Sequence, residues 1–317
     1  MIEPVALLKD LVRINTTNPP GEEEKLLLYL ERILQEHRIP YVYQKSAKGR
    51  GNLLAWQLAD QAEEAPLILM SHTDVVAAQA SQWKFPPFEA QEVDGYIYGR
   101  GTVDTKQLTA MELTAFLALK EKEIPLKRDV YFLATSDEES GSAYGLQWFL
   151  DHEITVGETT KTGRELFRGS DVISEGGGFP VVGGKREFYL CESGQKSCGT
   201  VEFTVKAKNA KGAFFTSEDG MERAMGLAED IGKQKLDGRV LDTVKQFEQK
   251  LAGVQLSPMM QKILTAMKQN SMTVTMITGK NVNEVTLVCD VRLLPGFGQK
   301  YLEEVLKNLA EKWDCSY

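Results

Sequence analysis

The stretch PLILMSHTDVV, residues 66–76, joins an apolar run to a polar cluster. Residues 67–70 are all apolar, which predicts a buried strand. His72 and Asp74 follow that strand and are two positions apart. Because ligands gather at the carboxyl ends of strands in open α/β sheets, we expect these two side chains to belong to a binding site.

The chain around this stretch alternates predicted helices and strands, with strands at YVYQKS, NLLAWQL, LILMSH, DVYFLATS and DVIS. This order predicts an α/β fold, a mixed sheet with helices on both faces. Residues 22–24 follow a Pro-Pro-Gly loop, so we expect them in the first turn of a helix. Residues 142–153 also have a helical pattern.

The pattern changes after about Cys198, where strands begin to alternate apolar and polar residues. These strands are GTVEFTVKAK, SMTVTMITGK and EVTLVCDVRLL, and helical segments cover residues 221–233 and 299–313. Such an order is typical of a small split βαβ domain. The sequence therefore predicts a second, α+β domain.

Composition and charge exclude several classes of partner. The net charge of −8 argues against a nucleic-acid-binding surface. We find no apolar run long enough to cross a bilayer and no signal peptide, so we expect no membrane partner. The four cysteines form no CxxC pair, which argues against a zinc knuckle. A cytoplasmic, reduced protein is the simplest expectation.

Acidic residues recur at the other predicted strand ends. Asp137, Glu138 and Glu139 follow one strand, Glu175 ends another, and Asp104 lies in a glycine-rich loop before a helix. Carboxylates gathered at one edge of a sheet repel one another, and a divalent cation removes that repulsion. One imidazole with several carboxylates suits zinc, manganese or cobalt.

Each of these residues also has a simpler explanation by itself. His72 could be a surface histidine, Asp74 could cap a turn, and Asp104 could be the N-cap of a helix beginning near Thr105. The simpler explanations must hold at every strand end at once, so the combination favours a metal site. A phosphate-handling hydrolase is a third hypothesis, but GRGTVDTK resembles a phosphate loop only weakly.

Four motifs carry a resemblance to a known family: SHTDVV, GRGTVDTKQ, ATSDEESG and SEGGG. In this order and spacing they resemble the di-zinc metallopeptidases and amidohydrolases that include glutamate carboxypeptidase, aminoacylase and succinyl-diaminopimelate desuccinylase. LVRINTTNPPGEE and WKFPPFEAQEVDGYIYGRG are most similar to the carboxypeptidase S branch. The resemblance implies a catalytic domain over residues 1–196 and an inserted ferredoxin-like lid over residues 197–317, both incomplete. It also leads us to expect a homodimer through the lid.

The resemblance implies a role for each candidate residue. Asp104 bridges two zinc ions, and Co²⁺ or Mn²⁺ could replace the zinc. His72 and Glu175 complete one metal site, whereas Glu139 binds the other ion.

The remaining two residues, Asp74 and Glu138, are implied to be catalytic. Asp74 orients the imidazole ligand through a hydrogen bond. Glu138 is the general base for a metal-bridged water. The implied function is metal-dependent, carboxypeptidase-like hydrolysis of an amide bond in a small peptide or an N-acyl amino acid.

Some family features have no counterpart in this sequence. The family has a further metal-binding histidine near its C terminus, whereas this chain ends at EKWDCSY within the predicted lid. We therefore expect a C-terminal truncation and one weakly held metal. His37 and His152 fall near predicted helix ends, which is typical of surface or capping residues. Lys211 stands where the family lid has an oxyanion-stabilising histidine.

These departures leave an alternative open. The chain could be a truncated or degenerate homologue that is catalytically silent and binds only metal or a protein partner. The missing histidines favour this alternative for the chain as given, so we expect the 317-residue chain to be nearly inactive on N-acyl amino acids and dipeptides.

Overall fold

The chain divides into two units, Met1–Glu175 and Gly176–Tyr317. The structure, a computed structural model, describes residues 2–183, 186–208, 219–281 and 283–317. The helices of the first unit are α1 (Pro4–Arg13), α2 (Glu24–Glu36), α3 (Lys106–Glu121), α4 (Leu146–Asp151) and α5 (Gly163–Leu166). Its strands are β1 (Tyr41–Ala47), β2 (Arg50–Gln57), β3 (Leu67–His72), β4 (Gln91–Val93), β5 (Tyr96–Tyr98), β6 (Val130–Thr135), β7 (Glu153–Val156), β8 (Thr159–Thr162) and β9 (Asp171–Ile173).

The predicted strand at residues 67–70 lies inside a five-stranded sheet of order β1-β2-β6-β3-β9. β2 runs antiparallel to both β1 and β6, whereas β6, β3 and β9 are parallel. In the register of β3, His72 is opposite Thr135 and Leu69 is opposite Ile173. The carboxyl ends of three neighbouring strands therefore meet at one edge of the sheet.

Helices cover both faces of this sheet, which confirms the predicted mixed α/β fold. Every residue of β6 is buried. Because side chains alternate along a strand, Phe132 packs with apolar residues of α1, α2 and α3, whereas Leu133 packs in a second cluster with Phe149 of α4.

The second unit contains β10 (Gly177–Gly183), β11 (Arg186–Cys191), β12 (Ser197–Lys206), α6 (Gly220–Lys233), α7 (Asp242–Lys250), α8 (Pro258–Ala266), β13 (Ser271–Asn281), β14 (Glu284–Leu293) and α9 (Gln299–Trp313). An antiparallel sheet of order β12-β14-β13 forms its centre. Alternate residues of β14, such as Leu287 and Val291, pack in one core with Leu227 of α6 and Leu306 of α9.

The strands and the two helices predicted for this part of the chain are thus present. The predicted domains, residues 1–196 and 197–317, and the lid role remain predictions. Lys211 lies outside the described residues.

Several elements differ from the sequence expectation. α7, α8 and the short hairpins β4–β5, β7–β8 and β10–β11 were not predicted. The helix expected over residues 142–153 is shortened to α4, because Ser142 has a φ of +62°, Gly145 has a non-helical backbone and His152 is extended. α2 begins at Glu24, so Glu23 occupies the N-cap position rather than the first turn.

The two other histidines lie at helix ends, as predicted. His37 is at the C-cap of α2, and its Nδ1 lies 3.1 Å from Oε1 of Glu121. His152 is at the C-cap of α4, where its ring stacks on that of Trp148. Across the described ranges, no helix combines the length and apolar character needed to cross a membrane.

Candidate metal centre

The imidazole of His72 is the centre of a group of carboxylates at the end of β3. Its Nε2 atom lies 3.0 Å from Oδ1 of Asp104, 3.4 Å from Oε2 of Glu175 and 4.0 Å from Oε2 of Glu138. The imidazole itself is buried, whereas the three carboxylates are partly open to solvent. One nitrogen therefore faces three acids at the mouth of the site.

The parallel strands explain why these side chains meet. His72 is the last residue of β3, Glu175 follows the neighbouring β9, and Glu138 begins a short 3₁₀ helix, Glu138–Ser140, after β6. Asp137, at the turn between β6 and that 3₁₀ helix, has a left-handed φ of +66°. The turn redirects the chain, so that Glu138 and Glu139 follow the strand on the same edge as the histidine.

Asp104 reaches the site from the loop before α3. The N-cap position of α3 is occupied by Thr105, so the explanation of Asp104 as an N-cap is wrong. Gly101 in this loop has a φ of +88°, and a Cβ atom there would lie 3.0 Å from Cγ1 of Val75. Glycine thus lets the loop pack closely beside the segment that follows β3. The peptide bond between Asp104 and Thr105 is cis.

Two overlapping sets of side chains are arranged so that each could hold a cation. The ligand atoms of His72, Asp104 and Glu175 lie within 4.8 Å of one another, and so do those of His72, Glu138 and Glu139. The first set contains three predicted metal ligands. The second set groups Glu139 with Glu138, the predicted base, and does not include Asp104. That Asp104 bridges two metals therefore remains a prediction.

The other ring nitrogen of His72 faces Asp74. Nδ1 lies 3.0 Å from the backbone carbonyl oxygen of Asp74 and 3.4 Å from its carboxylate Oδ1. The buried Asp74 carboxylate also accepts hydrogen bonds from the backbone N–H groups of Glu138, at 3.0 Å, and Glu139, at 3.1 Å. A proton on Nδ1 would leave the Nε2 lone pair facing the acids, the orientation that a metal ligand requires.

The electrostatics of the site favour a positive charge at its centre. Burial acts to lower the pKa of His72, but the carboxylates of Asp74 and Glu175 outweigh burial and raise the pKa to about 11. The His72 side chain in turn holds the pKa of Glu175 below its ordinary value, although burial opposes this. The acids thus keep a proton on the imidazole. A divalent cation would supply positive charge in its place, so the donor set fits zinc, cobalt or manganese.

The pKa values of Glu138 and Glu139 are raised, unlike that of Glu175. Burial raises the pKa of Glu138, and the negative charges of Glu175, Asp74 and Asp104 raise it further. Burial also raises the pKa of Glu139, and the charge of Asp104 adds to the effect. A carboxylate whose pKa is raised accepts a proton more readily, which is the property expected of a general base.

Sequence reasoning missed a buried cluster under this site, formed by Asn18, Glu23, Arg50 and Asp137. Arg50 donates hydrogen bonds to the side chains of the other three. Burial raises the pKa of Glu23 to about 7, although Arg50 acts against the rise. The one local signal was an arginine at the start of a buried strand, RGNLLAWQ, whose centre is apolar.

Fold and site together define an α/β protein with a candidate centre for divalent cations at the carboxyl ends of parallel strands. Comparison with known families agrees with this class. The model of peptidase family M20/M25/M40 matches residues 68–283, and the chain belongs to this family. The resemblance seen in the four sequence motifs is therefore confirmed.

Individual relatives match parts of the chain. It is 34% identical over 149 residues to a probable succinyl-diaminopimelate desuccinylase of Staphylococcus epidermidis, covering 46% of this chain and 35% of that protein. It is 44% identical over 81 residues to an N-fatty-acyl-amino acid synthase/hydrolase of Danio rerio, covering 25% of this chain and 16% of the relative. The chain thus spans well under two thirds of the length of these relatives.

A solved structure extends the likeness of fold to almost the whole chain. The M20 family metallo-carboxypeptidase of Sulfolobus solfataricus superposes with a TM-score of 0.67 at 21% sequence identity. The match covers 99% of this chain and 76% of that structure. At this identity the likeness supports the fold.

Proposed function

We propose that this protein is a metal-dependent hydrolase that cleaves an amide bond in a small peptide or an N-acyl amino acid. The observation that carries the proposal is the position of His72 Nε2, which faces Asp104, Glu175 and Glu138 at the carboxyl ends of parallel strands. Family membership supports the reaction class. The names of the two curated relatives, a desuccinylase and an N-fatty-acyl-amino acid hydrolase, support an acylated amine as substrate.

We assign the metal ligands by the chemistry of the donors. His72, Asp104 and Glu175 would hold one ion, and Asp104 together with Glu139 would hold a second, weaker one. An imidazole with carboxylate oxygens suits Zn²⁺, with Co²⁺ or Mn²⁺ as substitutes. When bound, the ions lower the pKa of a water molecule and polarise the amide carbonyl.

The side chains around the ligands would divide the remaining work. Glu138 would take the proton of the attacking water and pass it to the nitrogen of the leaving amine, and its raised pKa suits both steps. Asp74 would hold the imidazole of His72 in the orientation that turns Nε2 toward the acids. We also propose that the cleavage of the amide bond is carboxypeptidase-like.

Assembly and location complete the proposal. We infer a homodimer through the predicted lid, residues 197–317, and a cytoplasmic location. All four cysteines are free, which is consistent with a reducing compartment.

The test is a substrate screen combined with one substitution. The metal-free chain is loaded with Zn²⁺, Co²⁺ or Mn²⁺ and given N-acetyl and N-succinyl amino acids and dipeptides. We expect metal-dependent hydrolysis of at least one of these classes. Glu138→Gln should lower kcat by at least about 100-fold while metal affinity is kept, because general-base catalysis typically contributes that much. Glu158→Gln, at an exposed glutamate, is the matched control.

The outcomes separate the two hypotheses. Failure to bind any of the three metals, or equal turnover by the Glu138→Gln variant, would contradict the proposed function. Metal binding without turnover of any substrate would instead favour a catalytically silent homologue.

A further inference from the structure

Asn18 connects two carboxylates that lie under the candidate metal centre. The side chain of Asn18 is buried, and its Nδ2 donates to Oδ2 of Asp74 at 2.8 Å and to Oδ1 of Asp137 at 3.0 Å. An amide nitrogen has two N–H bonds, so each carboxylate receives one. The amide thereby separates two buried acids that would otherwise repel each other.

Arg50 determines which way this amide points. Its Nη2 donates to Oδ1 of Asn18 at 2.6 Å and also to the carbonyl oxygen of Pro20. Its Nη1 donates to Asp137 and, at 3.4 Å, to Oε1 of Glu23. With Oδ1 held by the guanidinium, the amide N–H bonds of Asn18 face the two aspartates.

The backbone of Asn18 is fixed against the loop that follows β3. Its N–H donates to the carbonyl oxygen of Val75 at 2.9 Å. The Thr16 hydroxyl donates to the carbonyl oxygen of Thr73 at 2.6 Å. Asn18 is therefore attached to the loop that carries Asp74 through both its backbone and its side chain.

Asp74 and Asp137, which Asn18 connects, position the backbone of Glu138, the proposed base, and Glu139, a proposed metal ligand. Asp74 accepts the backbone N–H groups of Glu138 and Glu139, and its Oδ1 lies 3.4 Å from Nδ1 of His72. Asp137 immediately precedes Glu138 and accepts the backbone N–H of Tyr144 at 3.0 Å. A rotation of either aspartate would move the glutamates relative to the imidazole.

We propose that Asn18, oriented by Arg50, is a positioning residue for the metal centre. It sets the distance between Asp74 and Asp137, and through them the placement of His72, Glu138 and Glu139. This inference rests on the proposed function, because the role requires a metal at these ligands. Asn18 acts through the two aspartates and not through a direct contact with the ligand side chains.

The sharpest test replaces the amide of Asn18 by a carboxylate of the same size. Asn18→Asp removes both N–H donors and places a third acid between two others. Loss of a partner that orients metal ligands typically weakens metal affinity by about 10- to 100-fold, and we expect that loss for Co²⁺. The metal-free 317-residue chain is titrated with Co²⁺ by calorimetry, and the visible absorption spectrum of the bound ion is recorded.

Two further variants make the result decisive. Asn15→Asp makes the same charge change at an exposed residue whose side chain already acts as an acceptor, so affinity and spectrum should stay as in the wild type. Asn18→Ser keeps the site neutral but cannot span both aspartates. Asn18→Ser should also weaken Co²⁺ binding and alter the visible spectrum of the bound ion. It tests the positioning role if Asn18→Asp does not fold.

The results distinguish the inference from the proposed function. If the wild-type chain binds no Co²⁺, the proposed metal centre is refuted and this inference with it. If the wild type binds Co²⁺ and folded Asn18 variants show unchanged affinity and spectra, the metal centre stands and the positioning role is overturned.

Discussion

Glu112 is a buried acid on α3 that lies outside the candidate metal ligands. The residue is 4% exposed, and neither of its carboxylate oxygens is in hydrogen-bonding geometry with any residue that the structure describes. Burial raises the pKa of Glu112 to about 8, against smaller opposing effects of the Ser71 side chain and the Met70 backbone. We therefore expect the carboxyl to be protonated in the folded protein at neutral pH.

The cost of ionising Glu112 follows from this pKa. Raising a carboxyl pKa from 4.5 to about 8 penalises the charged form by on the order of 5 kcal/mol. Between these pH values the unfolded chain has released a proton that the folded chain keeps, so the free energy of unfolding falls as pH rises. The stabilising contribution is complete below pH 4.5 and is lost once pH has passed about 8.

Glu112→Gln isolates this effect, because glutamine has nearly the same shape and no charge. At about pH 5 the variant should be within about 1 kcal/mol of the wild type, since both side chains are neutral in the folded protein and this pH is only slightly above the ordinary glutamate pKa of 4.5. At about pH 9 the variant should be more stable by on the order of 3 kcal/mol, part of the full penalty being relieved by local opening around the charge. Urea denaturation of the metal-free proteins, repeated across this pH range, measures the difference.

Subtracting the two curves removes the titration of other groups. Glu158→Gln is the control at an exposed glutamate and should give a curve parallel to the wild type. If the Glu112→Gln curve is also parallel to the wild type from pH 5 to 9, the carboxyl is not a buried neutral acid and the reasoning fails.

Three further predictions follow from the site and its supports. Glu175→Gln should weaken binding of the more tightly held metal by at least about tenfold in calorimetry, because it replaces a charged ligand in the set His72, Asp104 and Glu175. Unchanged affinity would show that Glu175 is not a ligand. Metal affinity should rise by up to about tenfold per pH unit between pH 6 and 9, because the proton that the acids hold on His72 must leave; a flat profile would contradict this. Lys106→Met should lower the free energy of unfolding by about 1–3 kcal/mol in urea, because the buried amino group donates to the carbonyl oxygens of Leu11 and Ile14; equal stability would show that these carbonyls need no donor.

The approach of the site residues at the strand ends could be predicted, because one topological rule brings them to the same edge of the sheet. Parallel strands end at a common edge, so His72, Glu138 and Glu175 had to approach one another once β3, β6 and β9 were neighbours. The apolar runs identified those strands, and the polar residues followed directly. The grouping of Glu139 with His72 and Glu138 involves a short 3₁₀ helix, Glu138–Ser140, which no hydrophobic period indicates.

The supporting cluster could not be predicted, because its contacts join distant parts of the chain. Asp137 has a left-handed backbone, which aspartate adopts more readily than most residues but still less readily than glycine. Asn18, Arg50 and Tyr144 restrain it through hydrogen bonds to its carboxylate, and Glu23 accepts its backbone N–H at 3.2 Å. Seen locally, the sequence SDEES is only a run of acids. Its single aspartate, Asp137, has a structural role because partners from other parts of the chain surround it. Through Asp137 these partners hold Glu138, the proposed base, beside the imidazole.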